Sequence, residues 1–148
     1  MPSPAPREIV QVETITRLID LGVPSFLLGS TIVGIVAQRL LRKICPDCTE
    51  ERTGSAGDCE ALQLEQKAWR VWQGKGCSRC RGTGYRGRTG IFEILEINDT
   101  VRAALGERVE LAVLQKIARA EGMVDLRGNA VRKLLEGVTT IEEVLAVT

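Results

Sequence analysis

Apolar positions recur at helical spacing over 12–21, where Val12, Ile15, Leu18 and Ile19 share one face. Gly22 and Pro24 close the segment, because glycine accepts the left-handed backbone past a helix end and proline cannot extend a helix. A second short helix is predicted to open at Ser25 and to carry Phe26, Leu27 and Leu28. The run 35–42 is apolar without a deciding period, so helix and strand both stay open on the residues alone. The run 90–97 predicts a strand, being rich in branched and aromatic residues and bounded by Gly90 and by Asn98-Asp99. If both runs are strands, they can pair antiparallel, with whatever lies between them forming an elaborated hairpin tip.

Within that tip, 58–73 reads as a helix capped by Asp58, with Leu62, Leu64, Trp69 and Trp72 on its buried side and Gly74 at its end. Beyond Asn98 the pattern is helical throughout. A short turn runs through Leu105, and a helix over 109–121 sets Leu111, Leu114, Ile117 and Ala118 on one face before Gly122. A further helix carries Leu126, Ala130, Val131, Leu134 and Leu135 to Gly137. Thr140-Ile141-Glu142-Glu143 fits a capping box that opens a last helix. These stripes are core positions. Pro2, Pro4 and Pro6 leave no helix to nucleate at the start, so residues 1–8 read as a flexible leader.

The chemistry concentrates in four cysteines. Cys45-Pro46-Asp47-Cys48 and Cys77-Ser78-Arg79-Cys80 stand 28 residues apart in a chain of 148 that has no histidine. Four thiolates at this spacing can close a tetrahedral shell around zinc with no other ligand type. Two disulfides, a redox pair and inert core thiols are the alternatives. A fifth cysteine, Cys59, leaves an odd count, and a bond within Cys-x-x-Cys belongs to redox enzymes more than to scaffolds. Zinc is therefore the expected occupant and Cys59 a packed or partly exposed spare. A closed all-sulfur shell has no open coordination position, so the metal would organise the fold and not activate water.

Composition narrows the class. With 44% hydrophobic and 26% charged residues the chain is an ordinary globular sequence, which excludes global disorder. Its net charge of +1 says nothing about partners, but the distribution does. No acidic residue falls between Glu65 and Glu93, where Lys67, Arg70, Lys75, Arg79, Arg81, Arg86 and Arg88 accumulate. Such a stretch can face nucleic acid, nucleotide phosphates or anionic lipid, or can balance a thiolate-rich metal site. The most apolar segment, 26–37, is too short for the roughly 20 residues that a membrane span needs. The start carries no secretory-signal pattern, so a cytosolic location is expected.

Gly82-Thr83-Gly84-Tyr85-Arg86-Gly87 satisfies a Gly-x-Gly-x-x-Gly pattern, and 82–89 approaches a phosphate-binding loop with Arg88 in place of lysine. Both motifs work only where a strand ends and a helix begins, so that amides and a helix N-terminus meet the phosphates. Here the glycines follow a Cys-x-x-Cys pair and lead into a strand. They are better explained by the tight turns of a metal knuckle.

The order of these residues is similar to that of a known family. Ile15-Thr16-Arg17-Leu18-Ile19-Asp20-Leu21-Gly22-Val23, Phe26-Leu27-Leu28, Val36-Ala37-Gln38-Arg39-Leu40, the two cysteine pairs, Gly84-Tyr85-Arg86-Gly87-Arg88-Thr89-Gly90 and Glu142-Glu143-Val144-Leu145 together resemble the C-terminal end of the type II secretion and type IV pilus assembly ATPases, the GspE/PilB family. The likeness runs over 14–148. It implies a hexameric RecA-like ATPase on the cytoplasmic face of the inner membrane, working with platform proteins, with ATP and Mg2+ as cofactors of the full-length motor. It makes both apolar runs strands of the core sheet.

On this resemblance the expected architecture is α/β, or an α+β fragment: a remnant of a RecA-like core sheet with an inserted tetracysteine zinc module and a C-terminal helical bundle. Residues 1–13 would be leader, 14–44 and 81–98 partial ATPase core, 45–80 the zinc insertion and 99–148 the helical subdomain. Arg39, Arg42 and Arg88 would lie near a subunit interface or nucleotide. The sequence has no Gly-x-x-x-x-Gly-Lys-Ser/Thr loop, no acidic metal-binding box and no histidine-containing box. The chain alone is thus expected to be inactive as an ATPase, with no catalytic or nucleotide-binding residue of its own. It is expected to be a truncated product, an excised fragment or part of a split gene, and to leave strand edges open to association. The expected metal ligands are Cys45, Cys48, Cys77 and Cys80. Other motor subunits and inner-membrane secretion or pilus platform proteins are the expected partners, with neither nucleic acid nor direct membrane insertion. A zinc-ribbon nucleic-acid module, or a chaperone zinc domain of the J-protein kind, suggested by Cys77-x-x-Cys80-x-Gly82-x-Gly84, are the alternatives.

Overall fold

The computed structural model describes residues 10–64, 69–105 and 110–148, and the side chains of all of these but 10–12 and Leu111. Residues 1–9 of the expected leader, Glu65 and Lys67, and the opening of the helix expected over 109–121 lie outside the described residues. The element order is α1 (Val10–Asp20), α2 (Ser25–Thr31), β1 (Gly34–Ile44), β2 (Thr49–Thr53), α3 (Ala56–Leu62), β3 (Arg70–Gly74), a 3-10 turn (Ser78–Cys80), β4 (Tyr85–Glu96), α4 (Asp99–Ala104), α5 (Leu111–Ala120), α6 (Leu126–Leu135) and α7 (Ile141–Val147). Among the described residues there are thus seven α-helices and two two-stranded sheets, β1 with β4 and β2 with β3, an α+β architecture.

Two compact units divide the chain, 1–37 with 92–125 and 38–91 with 126–148. The division passes through β1 and β4. The helices after Asn98 are shared out, α4 and α5 to the first unit, α6 and α7 to the second.

In the first unit the helical stripes meet the end of β4. Ile15, Leu28, Leu95, Ile97, Val101, Leu105, Leu114 and Ala118 form one buried cluster. α1 ends where Gly22 turns left-handed at φ 91°, with its N–H on the Ile19 carbonyl and that of Val23 on Leu18. The Asn98 side chain caps α4 by accepting the Val101 N–H at 2.9 Å.

The ambiguous run 35–42 is strand, and it pairs antiparallel with β4. The Ile97 N–H reaches the Val33 carbonyl at 3.0 Å at one end, and the Cys45 N–H reaches the Gly84 carbonyl at 2.9 Å at the other. β4 begins at Tyr85, earlier than the predicted Gly90. Its buried positions Ile91, Glu93 and Leu95 alternate with exposed ones, the period of a half-covered strand.

The second unit corrects the helix expected over 58–73. α3 ends at Leu62, and Gln63 adopts a left-handed backbone at φ 56°. Its cap is Ser55, not Asp58. Ser55 Oγ accepts the Asp58 N–H at 3.1 Å while the Asp58 carboxylate accepts the Ser55 N–H at 2.8 Å, so Asp58 is the far half of a capping box. Trp72 lies instead on β3, which pairs antiparallel with β2 from Thr49 opposite Gly74 to Thr53 opposite Arg70. Strand pairing satisfies the backbone of both segments, and Val71, not one of the positions expected on a helix's buried side, is the fully buried residue of β3. α6 buries Leu126, Ala130 and Leu134, and α7 buries Ile141, Glu143 and Val144.

A candidate metal centre at the tip of the hairpin

β1 delivers Cys45 immediately after its last residue, and β4 begins a few positions beyond Cys80. Strand pairing therefore brings the two Cys-x-x-Cys loops to one end of the ribbon. β2 and β3 continue from them and close the tip from the other side. The four Sγ atoms lie within 4.8 Å of one another. Cys45 and Cys77 are 3.9 Å apart, Cys48 and Cys80 also 3.9 Å, and Cys77 and Cys80 3.7 Å.

These separations test the competing chemistries. A disulfide needs sulfurs about 2.05 Å apart, and none of these pairs approaches that. A tetrahedral shell with metal–sulfur bonds of about 2.3 Å has edges of about 3.8 Å, close to these three separations. The donor set fits a thiophilic divalent ion. Cys59 stands outside the quartet, buried on α3.

Each loop is shaped by its own hydrogen bonds. In the first, the Cys48 N–H turns back to the Cys45 carbonyl at 3.3 Å, and the Thr49 hydroxyl donates to the same carbonyl at 2.7 Å. In the second, the Gly82 N–H reaches the Cys77 carbonyl at 2.9 Å and the Thr83 hydroxyl reaches that of Cys80 at 2.7 Å. Glycine is required where the two strands of the loop touch. A Cβ on Gly84 would stand 2.5 Å from the Gly74 carbonyl oxygen, and one on Gly76 2.6 Å from that of Gly82. The Gly-x-Gly-x-x-Gly run thus builds a knuckle and enters a strand. It does not open a helix, the geometry that its rejection as a phosphate loop required.

The sulfurs are not equivalent. Cys80 Sγ accepts the N–H groups of Cys77 at 3.1 Å and Gly84 at 3.2 Å, and these donors hold its thiol down to about 6. Burial pushes Cys48 up to about 12 and raises Cys45 as well. One position is thus set up as a thiolate, and a cation would supply the charge that ionises the others. The two amide donors were not singled out by sequence reasoning, although Gly84 stood in the refused glycine motif.

The basic stretch is not an unbroken positive face. Arg79 and Arg86 approach Asp47 at 3.8 and 3.2 Å, Lys75 meets Glu50 at 2.7 Å, and Arg70 meets Glu51 at 3.4 Å. Acidic residues early in the tip face basic ones late in it. This pairing weighs against the nucleic-acid alternative.

Below the knuckles the ribbon grips α7. Arg42 donates from its backbone N–H and its Nε to the two carboxylate oxygens of Glu143, each at 2.8 Å, and its Nη2 lies 2.7 Å from Oε2. The same guanidinium stacks 4.1 Å from the centre of the Tyr85 ring. The Tyr85 hydroxyl is 2.7 Å from Thr140 Oγ1, the cap of α7. Arg42, expected near an interface or nucleotide, is thus engaged within its own unit, and Arg88 adds its charge near Glu143. Glu143 also explains why the predicted capping box forms only halfway. Thr140 Oγ1 accepts the Glu143 N–H at 3.3 Å, while the Glu143 carboxylate goes to Arg42.

A hairpin tipped by paired cysteine knuckles, set among helices in this order, defines an α+β segment with a candidate four-sulfur metal site. The sequence profile described as "Type II/IV secretion system protein" matches residues 10–146, so the chain belongs to that family. It is 40% identical over 138 residues to the type II secretion system protein E of Pseudomonas aeruginosa, covering 93% of this chain and 27% of that protein. To the type IV pilus assembly ATPase PilB of Thermus thermophilus it is 38% identical over 139 residues, covering 92% of this chain and 16% of the relative. To the type II secretion system ATPase E of Vibrio cholerae it is 34% identical over 138 residues, covering 93% and 27%. The chain thus spans about a quarter or less of these relatives' length.

Proposed function

We propose that this chain is the C-terminal zinc-binding portion of a type II secretion or type IV pilus assembly motor, with a structural and protein-interaction role in a hexameric ATP-driven machine. Cys45, Cys48, Cys77 and Cys80 would hold one structural Zn2+. That ion would supply a cross-link and no reaction step. The observation that carries the reading is the sulfur quartet, all within 4.8 Å of one another, in a chain that matches the secretion family over 10–146. In this reading 14–44 and 81–98 are part of a RecA-like core, 45–80 is the insertion, and ATP and Mg2+ bind elsewhere in the full-length motor. The segment by itself does not turn over ATP, since its sequence has no phosphate-binding loop. Its partners are other motor subunits and inner-membrane platform proteins, which hold it at the cytoplasmic face. Among the described residues no helix is long and apolar enough to cross a membrane.

A chimera tests this. Residues 14–148 replace the matching segment of the Pseudomonas aeruginosa relative, and secretion and ATP hydrolysis are measured with and without the Cys45→Ser and Cys80→Ser pair. Activity that depends on the cysteines supports the reading. An active chimera indifferent to their loss overturns the structural role of the metal, and an inactive but folded, zinc-loaded chimera overturns the motor assignment.

A further inference from the structure

The metal knuckles and α7 are joined by short, continuous contacts within one unit. Arg42 lies three residues before Cys45. Between them the Ile44 N–H donates to the Val138 carbonyl at 2.9 Å, and the Thr139 hydroxyl donates to the Arg42 carbonyl at 2.8 Å. From the other strand, Gly84 donates its N–H to Cys80 Sγ, and its neighbour Tyr85 holds the Thr140 cap. The segment 138–143 is therefore gripped at five points by residues that lie within one to five positions of a cysteine of the quartet: Ile44, Arg42 through its carbonyl, backbone N–H and guanidinium, and Tyr85.

We propose that metal capture by the cysteine quartet and docking of α7 are a single coupled equilibrium, transmitted through the Arg42–Glu143 and Tyr85–Thr140 contacts. This rests on the zinc reading above and adds to it a device: the occupied knuckle fixes the strand ends, and the strand ends fix the cap of the C-terminal helix. The buried carboxylate is central. Glu143 has a side chain only 6% exposed and is held by Arg42 from both backbone and side chain, so a displacement of β1 strains several charge-assisted bonds together. Coupling between two sites is reciprocal, so whatever zinc contributes to α7 docking, α7 docking contributes to zinc affinity.

The test uses the full chain. Zinc affinity is measured by competition with a chromophoric chelator for the parent protein, Tyr85→Phe and Glu143→Gln, none of which alters a ligand. Hydrogen exchange of the amides in α7 is followed in parallel with and without chelator. The expected result is weaker zinc binding in both variants, within the roughly 5- to 150-fold range usual for coupled sites, and loss of α7 protection when zinc is removed from the parent. Helical circular dichroism confirms that each variant folds. Should Glu143→Gln prove unfolded, Tyr85→Phe, which removes one hydroxyl, still decides the matter. Equal zinc affinity in the parent and folded variants, with α7 protection indifferent to chelator, overturns the coupling while leaving the zinc reading intact. Absence of zinc binding by the parent overturns both.

Discussion

Arg42 and Glu143 are 101 residues apart in sequence, yet three of their donor–acceptor distances fall at 2.7–2.8 Å. The Glu143 side chain is 6% exposed and that of Arg42 52%, so solvent screens one partner and hardly reaches the other. Hydrogen bonds to charged groups contribute about 1.5–3 kcal/mol when buried, and exposed pairs about 0–1. Glu143→Ala should therefore destabilise the second unit by about 1–2 kcal/mol, measured by urea unfolding. No loss of stability would mean that the pair is merely adjacent.

The same pair sets a pH dependence. Burial alone would raise the Glu143 carboxyl, but the Arg42 hydrogen bonds and charge outweigh it, and the group sits below the ordinary glutamate range. Asp58 is lowered likewise, first by the Ser55 N–H and then by Arg52. A depressed carboxylate contributes stability that is fully present above the unfolded value, about 4 for these groups, and is lost as pH falls through the folded value. Thermal melts should hold steady from neutrality to about pH 5 and decline below about pH 4. Glu143→Gln should flatten part of that decline.

Gly74 and Gly84 make a sharper case. Gly74→Ala would drive a methyl group into the Gly84 carbonyl, which belongs to backbone and cannot swing aside. Forced backbone displacement costs about 1–3 kcal/mol or more, here at the residue that donates its N–H to Cys80. The variant should lose metal affinity together with stability, read by chelator competition and thermal unfolding. Unchanged zinc affinity would show that the close approach is not needed by the knuckle.

Much of this was legible in the sequence, and the failures share a cause. The helices α1, α2, α5, α6 and α7 follow from apolar spacing and from glycine stops, which are local signals. The cysteine quartet was readable because ligand spacing is also local within each pair. β2 was not, since Thr49-Glu50-Glu51-Arg52-Thr53 carries no apolar alternation. It is strand because β3 pairs with it, and the missed pairing let the helix prediction run on through Trp72. The grip on α7 was invisible for the same reason: nothing near Arg42 announces Glu143.

The ribbon should also associate. Among the described residues β1 and β4 have only each other as strand partners, and Val36 and Ile94 are 60% and 59% exposed. Open edges with exposed apolar side chains recruit further strands. Sedimentation velocity over a concentration series should show self-association that Ile94→Lys reduces, with stability changed by no more than about 0.5 kcal/mol. A monomer at every concentration would refute this.

Removing a ligand should reach beyond the tip. α6 and α7 share the unit of the cysteines, whereas α5 belongs to the other. Cys80→Ser should release the metal and lower protection in α6 and α7 more than in α5, as read by hydrogen exchange. Uniform loss or uniform retention would contradict that division.

The most direct test of the central claim is zinc-edge X-ray absorption on the protein purified without added metal, with the metal-to-chain ratio determined on the same sample. One zinc per chain, surrounded by four sulfurs at about 2.3 Å, is the result expected. A metal-free protein, or a zinc shell containing nitrogen or oxygen in place of sulfur, would contradict it.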